Sequence, residues 1–163
     1  MRRILVINNL ISVTIHVCIC ILFLLPMALV GGTGPLWSAA RIERWEISDI
    51  VFHLGLISFC TVIPLVLYVL LGKKLLIKTG NIKTDIFSTL SIILIMALAE
   101  FITSANLDNR LSMFSLLLTP ILLLGETIIF FSQIEAKIVY LALSIFPFLA
   151  LLAGIRLSIK EPK

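Results

Sequence analysis

The sequence predicts an all-α fold, a polytopic bundle of transmembrane helices. Of its 163 residues, 60% are hydrophobic and 13% are charged, whereas soluble domains carry about 45–50% apolar and about 25% charged residues. Most charges lie in short intervals between long apolar runs, and a helix needs about 20 apolar residues to cross the hydrocarbon core. These two observations exclude an ordinary water-soluble domain and a disordered chain.

Five hydrophobic segments fill most of the chain, which we interpret as one integral membrane domain over residues 1–163. The segments are residues 4–30, 49–72, 86–104, 111–131 and 138–155. Each is a continuous apolar run, unlike the alternating strands of about ten residues in a β-barrel. The first segment extends far beyond the apolar region of a cleaved signal peptide, so we predict a retained helix. Short polar turns between segments predict antiparallel neighbours.

Three prolines and one pair of small residues indicate how the predicted helices bend and pack. Pro64, Pro120 and Pro147 each lie within a segment, where the missing N–H group permits a kink. Ala150 and Gly154 are four residues apart in the fifth segment, a spacing that permits close approach of a neighbouring helix.

Residues 31–48, between the first two segments, are predicted to form an interfacial helix at the outer membrane surface. Glycine and proline interrupt the apolar run there, and aromatic and basic residues follow at helical spacing. The predicted interfacial anchors are Trp37, Arg41, Arg44 and Trp45. The alternative for this interval is a ligand-binding outer loop.

Residues 73–85 contain the densest positive cluster, which predicts a cytoplasmic loop and a cytoplasmic N-terminus. If all five segments cross, the 13 Lys and Arg residues divide seven inside to six outside. If the third segment is instead re-entrant or buried, the division is ten to three, which agrees better with the positive-inside rule. Hydropathy favours five spans, and four spans with one re-entrant or buried segment is the alternative.

Two carboxylates and one histidine lie at membrane depth in the second to fourth segments, where ionisable groups are the first functional candidates. Glu126 lies well inside the fourth segment, and Glu100 lies near the end of the third. With five spans these two residues would be about 15 Å apart along the membrane normal, which argues against a carboxylate pair. His53 would lie at the depth of Glu100, so a pH-sensitive contact between them is a further hypothesis.

A polar stripe follows one face of the first segment. Asn9, Ser12 and His16 are spaced at i, i+3 and i+7. Such stripes join helices through interhelical hydrogen bonds, and a water-filled pathway is the alternative.

The sequence contains no motif of a known catalytic, cofactor-binding or metal-binding site. We therefore expect a non-enzymatic protein without a cofactor, located in the lipid bilayer of a bacterial cytoplasmic membrane. It would act as an accessory or protective, immunity-type protein through helix–helix contacts with a membrane-protein partner or a second copy. The alternative is a small oligomeric ion- or proton-coupled transporter that uses Glu126 and the polar stripe. Nucleic-acid binding is not expected, because no basic stripe is interleaved with aromatic residues.

Overall fold

A computed structural model describes residues 2–31, 47–105 and 117–158, and every regular element in this part is a helix. The helices are α1 (Arg2–Gly31), α2 (Ile47–Leu75), α3 (Ile82–Phe87), α4 (Ser91–Ala105), α5 (Thr119–Ser132), α6 (Ala136–Leu143) and α7 (Ile145–Arg156). The predicted all-α membrane bundle is confirmed. The predicted interfacial anchors Trp37, Arg41, Arg44 and Trp45 lie outside the described residues.

Four stretches of the described chain are long and apolar enough to cross a membrane, and a fifth is shorter. The four are Arg2–Leu24, Leu54–Leu75, Ile82–Ile102 and Ala136–Arg156, and the shorter one is Ile121–Ser132. The count matches the alternative with four spans, but the short segment is the fourth and not the third. The third segment begins at the Asn81 cap, which accepts the Lys83 amide, and this start lengthens it beyond the predicted 86–104.

The described chain starts and finishes at the same end of the bundle. The Asn8 side chain near the start of α1 bonds to Ile77, just after α2, and Arg156 at the end of α7 contacts Asp85 in α3. We call this the basic end. Of the eight described Lys and Arg residues, seven lie there: Arg2, Arg3, Lys73, Lys74, Lys78, Lys83 and Arg156. The remaining one, Lys137, lies at the opposite end, at the start of α6.

Two of the spans are broken into two helices. The third breaks between α3 and α4, where the Ser88 and Thr89 hydroxyls donate to the Asp85 carbonyl and compete with the helical ladder. The last span, formed by α6 and α7, breaks at Ser144, three residues before Pro147, whose ring nitrogen has no hydrogen to donate. Pro120, by contrast, lies in the first turn of α5, where proline is well accommodated.

The closest helix crossing joins α2 and α7 through two glycines. A Cβ atom added to Gly154 would lie 2.6 Å from the Val69 carbonyl oxygen and 2.9 Å from the Gly72 Cα. Only glycine, whose side chain is a single hydrogen atom, permits this separation, so the backbones of the two helices are in direct contact. The predicted close packing at Gly154 is therefore present, and it fixes the last span against the second.

Candidate functional site

The polar stripe of α1 leads to a buried hydrogen-bond network at the middle of the bundle. His16 and Tyr68 are both fully buried, and the His16 Nδ1 atom lies 2.6 Å from the Tyr68 hydroxyl. The His16 Nε2 atom lies 2.9 Å from the Leu117 carbonyl oxygen. Because a carbonyl can only accept, Nε2 carries a proton and donates it to Leu117. Both ring nitrogens therefore have a hydrogen-bond partner.

This network holds the start of α5 at mid-membrane depth. Leu117 lies in the 3₁₀ turn before α5, and its carbonyl also accepts from the Cys20 thiol at 3.7 Å. His16 is eight residues beyond Asn8, about 12 Å along the α1 axis from the basic end. Backbone outside a regular helix is tolerated at such depth only where protein groups satisfy it. His16 and Cys20 are therefore part of the architecture that positions α5.

The two asparagines of α1 also hydrogen-bond to backbone groups of other elements, at the basic end. The fully buried Asn8 side chain pairs with both backbone groups of Ile77, donating to its carbonyl at 2.8 Å and accepting its amide at 3.1 Å. Asn9 donates to the Phe87 carbonyl at 3.0 Å and accepts the Ser91 amide at 3.3 Å, so it spans the break between α3 and α4. The predicted interhelical role of the stripe thus has a structural counterpart at Asn9 and His16.

Ser12 differs from the other members of the stripe. It is fully buried, and among the described residues its hydroxyl is the one buried side-chain polar atom without a hydrogen-bond partner. It lies one turn from Asn8 and one turn from His16 on the same face of α1. Ser12 and His16 of the stripe are thus buried within the bundle, whereas Asn9 is half-buried.

Glu100 and Glu126 both lie toward the end of the bundle opposite the basic end. α5 starts beside His16 of α1 and runs toward the end that α4 approaches. Both carboxylates lie within electrostatic range of the Tyr140 side chain in α6. Glu100 is buried, whereas Glu126 is exposed on the bundle surface.

Gly125 makes room for the Tyr140 ring beside Glu126. A Cβ atom on Gly125 would overlap the Tyr140 ring, so the ring lies directly on the α5 backbone beside Glu126. The three residues Glu100, Glu126 and Tyr140, named here the acidic triad, are therefore set by the packing of α4, α5 and α6. The His53 side chain lies outside the described atoms, so its contact with Glu100 stays a prediction.

A second ionisable group, which the sequence did not single out, lies at the basic end. The Asp85 side chain is fully buried and accepts from the Thr79 amide at 3.0 Å and the Thr79 hydroxyl at 2.7 Å. Its other oxygen lies 3.4 Å from Arg156 Nη1. The sequence signal was the Thr79-Gly80-Asn81 turn, since such turns direct side chains back to nearby backbone and carboxylate groups.

Within the described residues, no three His, Cys, Asp or Glu side chains are grouped so that they could hold a metal ion. The chain matches no protein-family model, and no curated protein or solved structure is significantly similar to it.

Proposed function

We propose that this chain is a non-enzymatic accessory or protective membrane protein that acts by contacting another transmembrane helix. The observation that carries the proposal is the pair Gly55 and Ser58 on α2. Both are exposed, and a Cβ atom added to Gly55 would meet nothing within 4 Å. The described glycines Gly72, Gly125 and Gly154 each lie against a neighbouring element.

The exposed pair has the composition of a helix–helix interface in a membrane. Helices associate in lipid through small residues and hydroxyls, because lipid tails are as apolar as leucine side chains and give no hydrophobic driving force. Glycine within a helix also costs about 0.5–1 kcal/mol relative to alanine. A glycine that no described part of the bundle requires is therefore explained by a helix that packs on it from outside.

The least buried span is the one that carries this pair. Only 22% of the residues in the α2 span are buried, against 50% in the span formed by α6 and α7. Two phenylalanines, Phe52 and Phe59, lie beside the pair and are exposed. A small-residue patch flanked by aromatic side chains is a surface on which a partner helix or a second copy can pack closely.

The membrane and orientation are also proposed. The basic end would face the cytoplasm, because seven of the eight described cations lie there and basic residues are retained on the cytoplasmic side. The N-terminus would then be cytoplasmic, and Gly55 and Ser58 would lie in the outer leaflet. Short connections without a soluble domain are consistent with a bacterial cytoplasmic membrane.

Photo-crosslinking in intact cells tests the contact surface. We expect benzoylphenylalanine at Ser58 to give a discrete adduct, while the same group at Leu98 of α4, which is also exposed, gives none. Adding Gly55→Leu should abolish the adduct without unfolding the bundle, since no described atom lies near that Cβ position.

The mass of the adduct distinguishes the two kinds of partner. A product at twice the 18.1 kDa chain mass identifies a second copy, and any other discrete mass identifies a different protein. Equal labelling at Ser58 and Leu98, or labelling that persists in the Gly55→Leu variant, contradicts the proposal.

A proton- or cation-coupled transporter is the second candidate, favoured by the convergence of the acidic triad. Two carboxylates near one phenol can exchange a proton or bind a cation. The stripe residues Asn9 and His16 bond to protein groups, so this candidate depends on Glu100 and Glu126.

Flux through purified vesicles tests this second candidate. A transporter should dissipate an imposed pH or cation gradient, and Glu126→Gln should reduce that flux at least tenfold. The matched control is Glu135→Gln, because Glu135 is exposed near the start of α6 and pairs with Lys137 there. Absence of flux with the unaltered chain excludes the transporter and leaves the helix-contact proposal standing.

A further inference from the structure

We propose that the groove between α2 and α7 is a binding site for one anionic phospholipid of the leaflet at the basic end. The groove has a volume of about 490 Å³ and is open toward the lipid side of the bundle. Its wall includes Val62, Val66 and Val69 of α2, and Phe146, Leu149 and Ala150 of α7. All of these side chains are hydrocarbon, so the groove itself selects an acyl chain.

Each wall of the groove leads toward a cation at the basic end. Val62, Val66, Val69 and Lys73 follow one face of α2 at intervals of three and four residues. Phe146, Leu149 and Arg156 follow one face of α7 at intervals of three and seven residues. Below the groove the Gly72–Gly154 crossing brings the two helix backbones together, and Lys73 and Arg156 each follow it within one turn, at the foot of the groove.

The length of this arrangement corresponds to one leaflet. Val62 and Lys73 are eleven residues apart, about 16 Å along the helix axis. Half of the hydrocarbon thickness is about 15 Å. An acyl chain lying in the groove would therefore place its phosphate at the level of the two cations.

Arg156 is held in position for an anion. The buried Asp85 carboxylate contacts one guanidinium nitrogen, while the Arg156 side chain stays 44% exposed. Arginine has five N–H donors in a planar fork that suits phosphate oxygens, so one long contact to Asp85 leaves donors for a headgroup.

No described carboxylate competes for Lys73. Asp85 is the one described acidic residue at the basic end, and it is buried and already bonded to Thr79 and Arg156. Among the described residues, the exposed charge around the foot of the groove is therefore positive, which favours an anionic headgroup over a zwitterionic one. Charge and shape together select phosphatidylglycerol-type lipids.

Native mass spectrometry of the detergent-purified chain tests the site, with phosphatidylglycerol and phosphatidylcholine of identical acyl chains as probes. The unaltered chain should retain phosphatidylglycerol more tightly than phosphatidylcholine. Lys73→Gln should weaken phosphatidylglycerol binding by about fivefold. Lys83→Gln removes the same charge from the same end away from the groove, and it should change binding less than twofold.

Two further variants separate the headgroup from the acyl chain. Val66→Trp fills the groove without changing charge, and it should weaken binding of both lipids. Arg156→Lys keeps the contact with Asp85 and the fold, and it should weaken phosphatidylglycerol binding alone.

Three results would overturn the proposal. Equal affinity of the unaltered chain for both lipids means that the surface takes another occupant, such as an acidic partner helix. If Lys73→Gln and Lys83→Gln weaken phosphatidylglycerol binding equally, the affinity comes from the general positive charge of the basic end and not from the groove. Unchanged binding in the Val66→Trp variant means that the groove is not used.

Discussion

Individual glycines have opposite roles in this bundle. Gly154 and Gly72 let the α2 and α7 backbones touch, and Gly125 lies under the Tyr140 ring. Gly55 touches nothing in the described chain. The sequence alone predicted the close approach at Gly154 from its spacing to Ala150, but spacing carries no information about which neighbour fills the space.

Alanine substitutions separate these roles. Gly154→Ala should destabilise the bundle by about 1–3 kcal/mol, because its Cβ would press on backbone atoms of α2 that cannot rotate away. Gly55→Ala should leave stability unchanged or raise it by up to about 1 kcal/mol, since helix propensity improves and nothing is crowded. Unfolding by denaturing detergent measures both, and a larger loss for Gly55→Ala would refute the assignment of an open surface.

The functional side chains were only partly predictable at the residue scale. The expected hydrogen-bonding role of Asn9 and His16 agrees with their bonds to Phe87, Ser91 and Leu117. Their actual partners are mostly backbone groups, and a backbone group has no signature in the sequence. Tyr68 was not predicted for a related reason. A tyrosine in an apolar run is interpreted as a hydrophobic residue, and only the structure shows that its hydroxyl contacts His16.

At the scale of elements, hydropathy located five apolar stretches, of which four in the described chain are long enough to cross and one is shorter. The run over residues 111–131 is long enough to cross, yet α5 begins at Thr119, after a turn that His16 holds at mid-depth. Hydrophobicity reports depth and not path, so a short apolar helix within a bundle resembles one that crosses. The start of α5 at this depth directs Glu126 toward the end that Glu100 of α4 approaches, where the acidic triad lies.

At the scale of the whole molecule, the number of crossings decides which charges share a side. The Arg156–Asp85 contact places the end of the last span beside the start of the third. The eight described cations then divide seven to one between the ends. Five crossings would also divide these eight residues seven to one, with Lys137 and Arg156 exchanging sides, so the Arg156–Asp85 contact and not the charge count distinguishes the two arrangements. The strong asymmetry is what the positive-inside rule expects of a protein with short loops.

Two reporters in the full chain test this arrangement. A fluorescent reporter after Lys163 should be active, and alkaline phosphatase inserted between Gln133 and Ile134 should also be active, because that exposed turn lies at the end opposite Arg156. Five crossings from a cytoplasmic N-terminus predict the reverse at both positions, with Gln133 inside and Lys163 outside. Insertion of phosphatase at Gly80, in the turn at the basic end, is the control and should be inactive in both arrangements. An inactive fluorescent reporter after Lys163 together with an inactive phosphatase at Gln133 would show that the fourth segment crosses, and the acidic triad would then have no basis in the membrane.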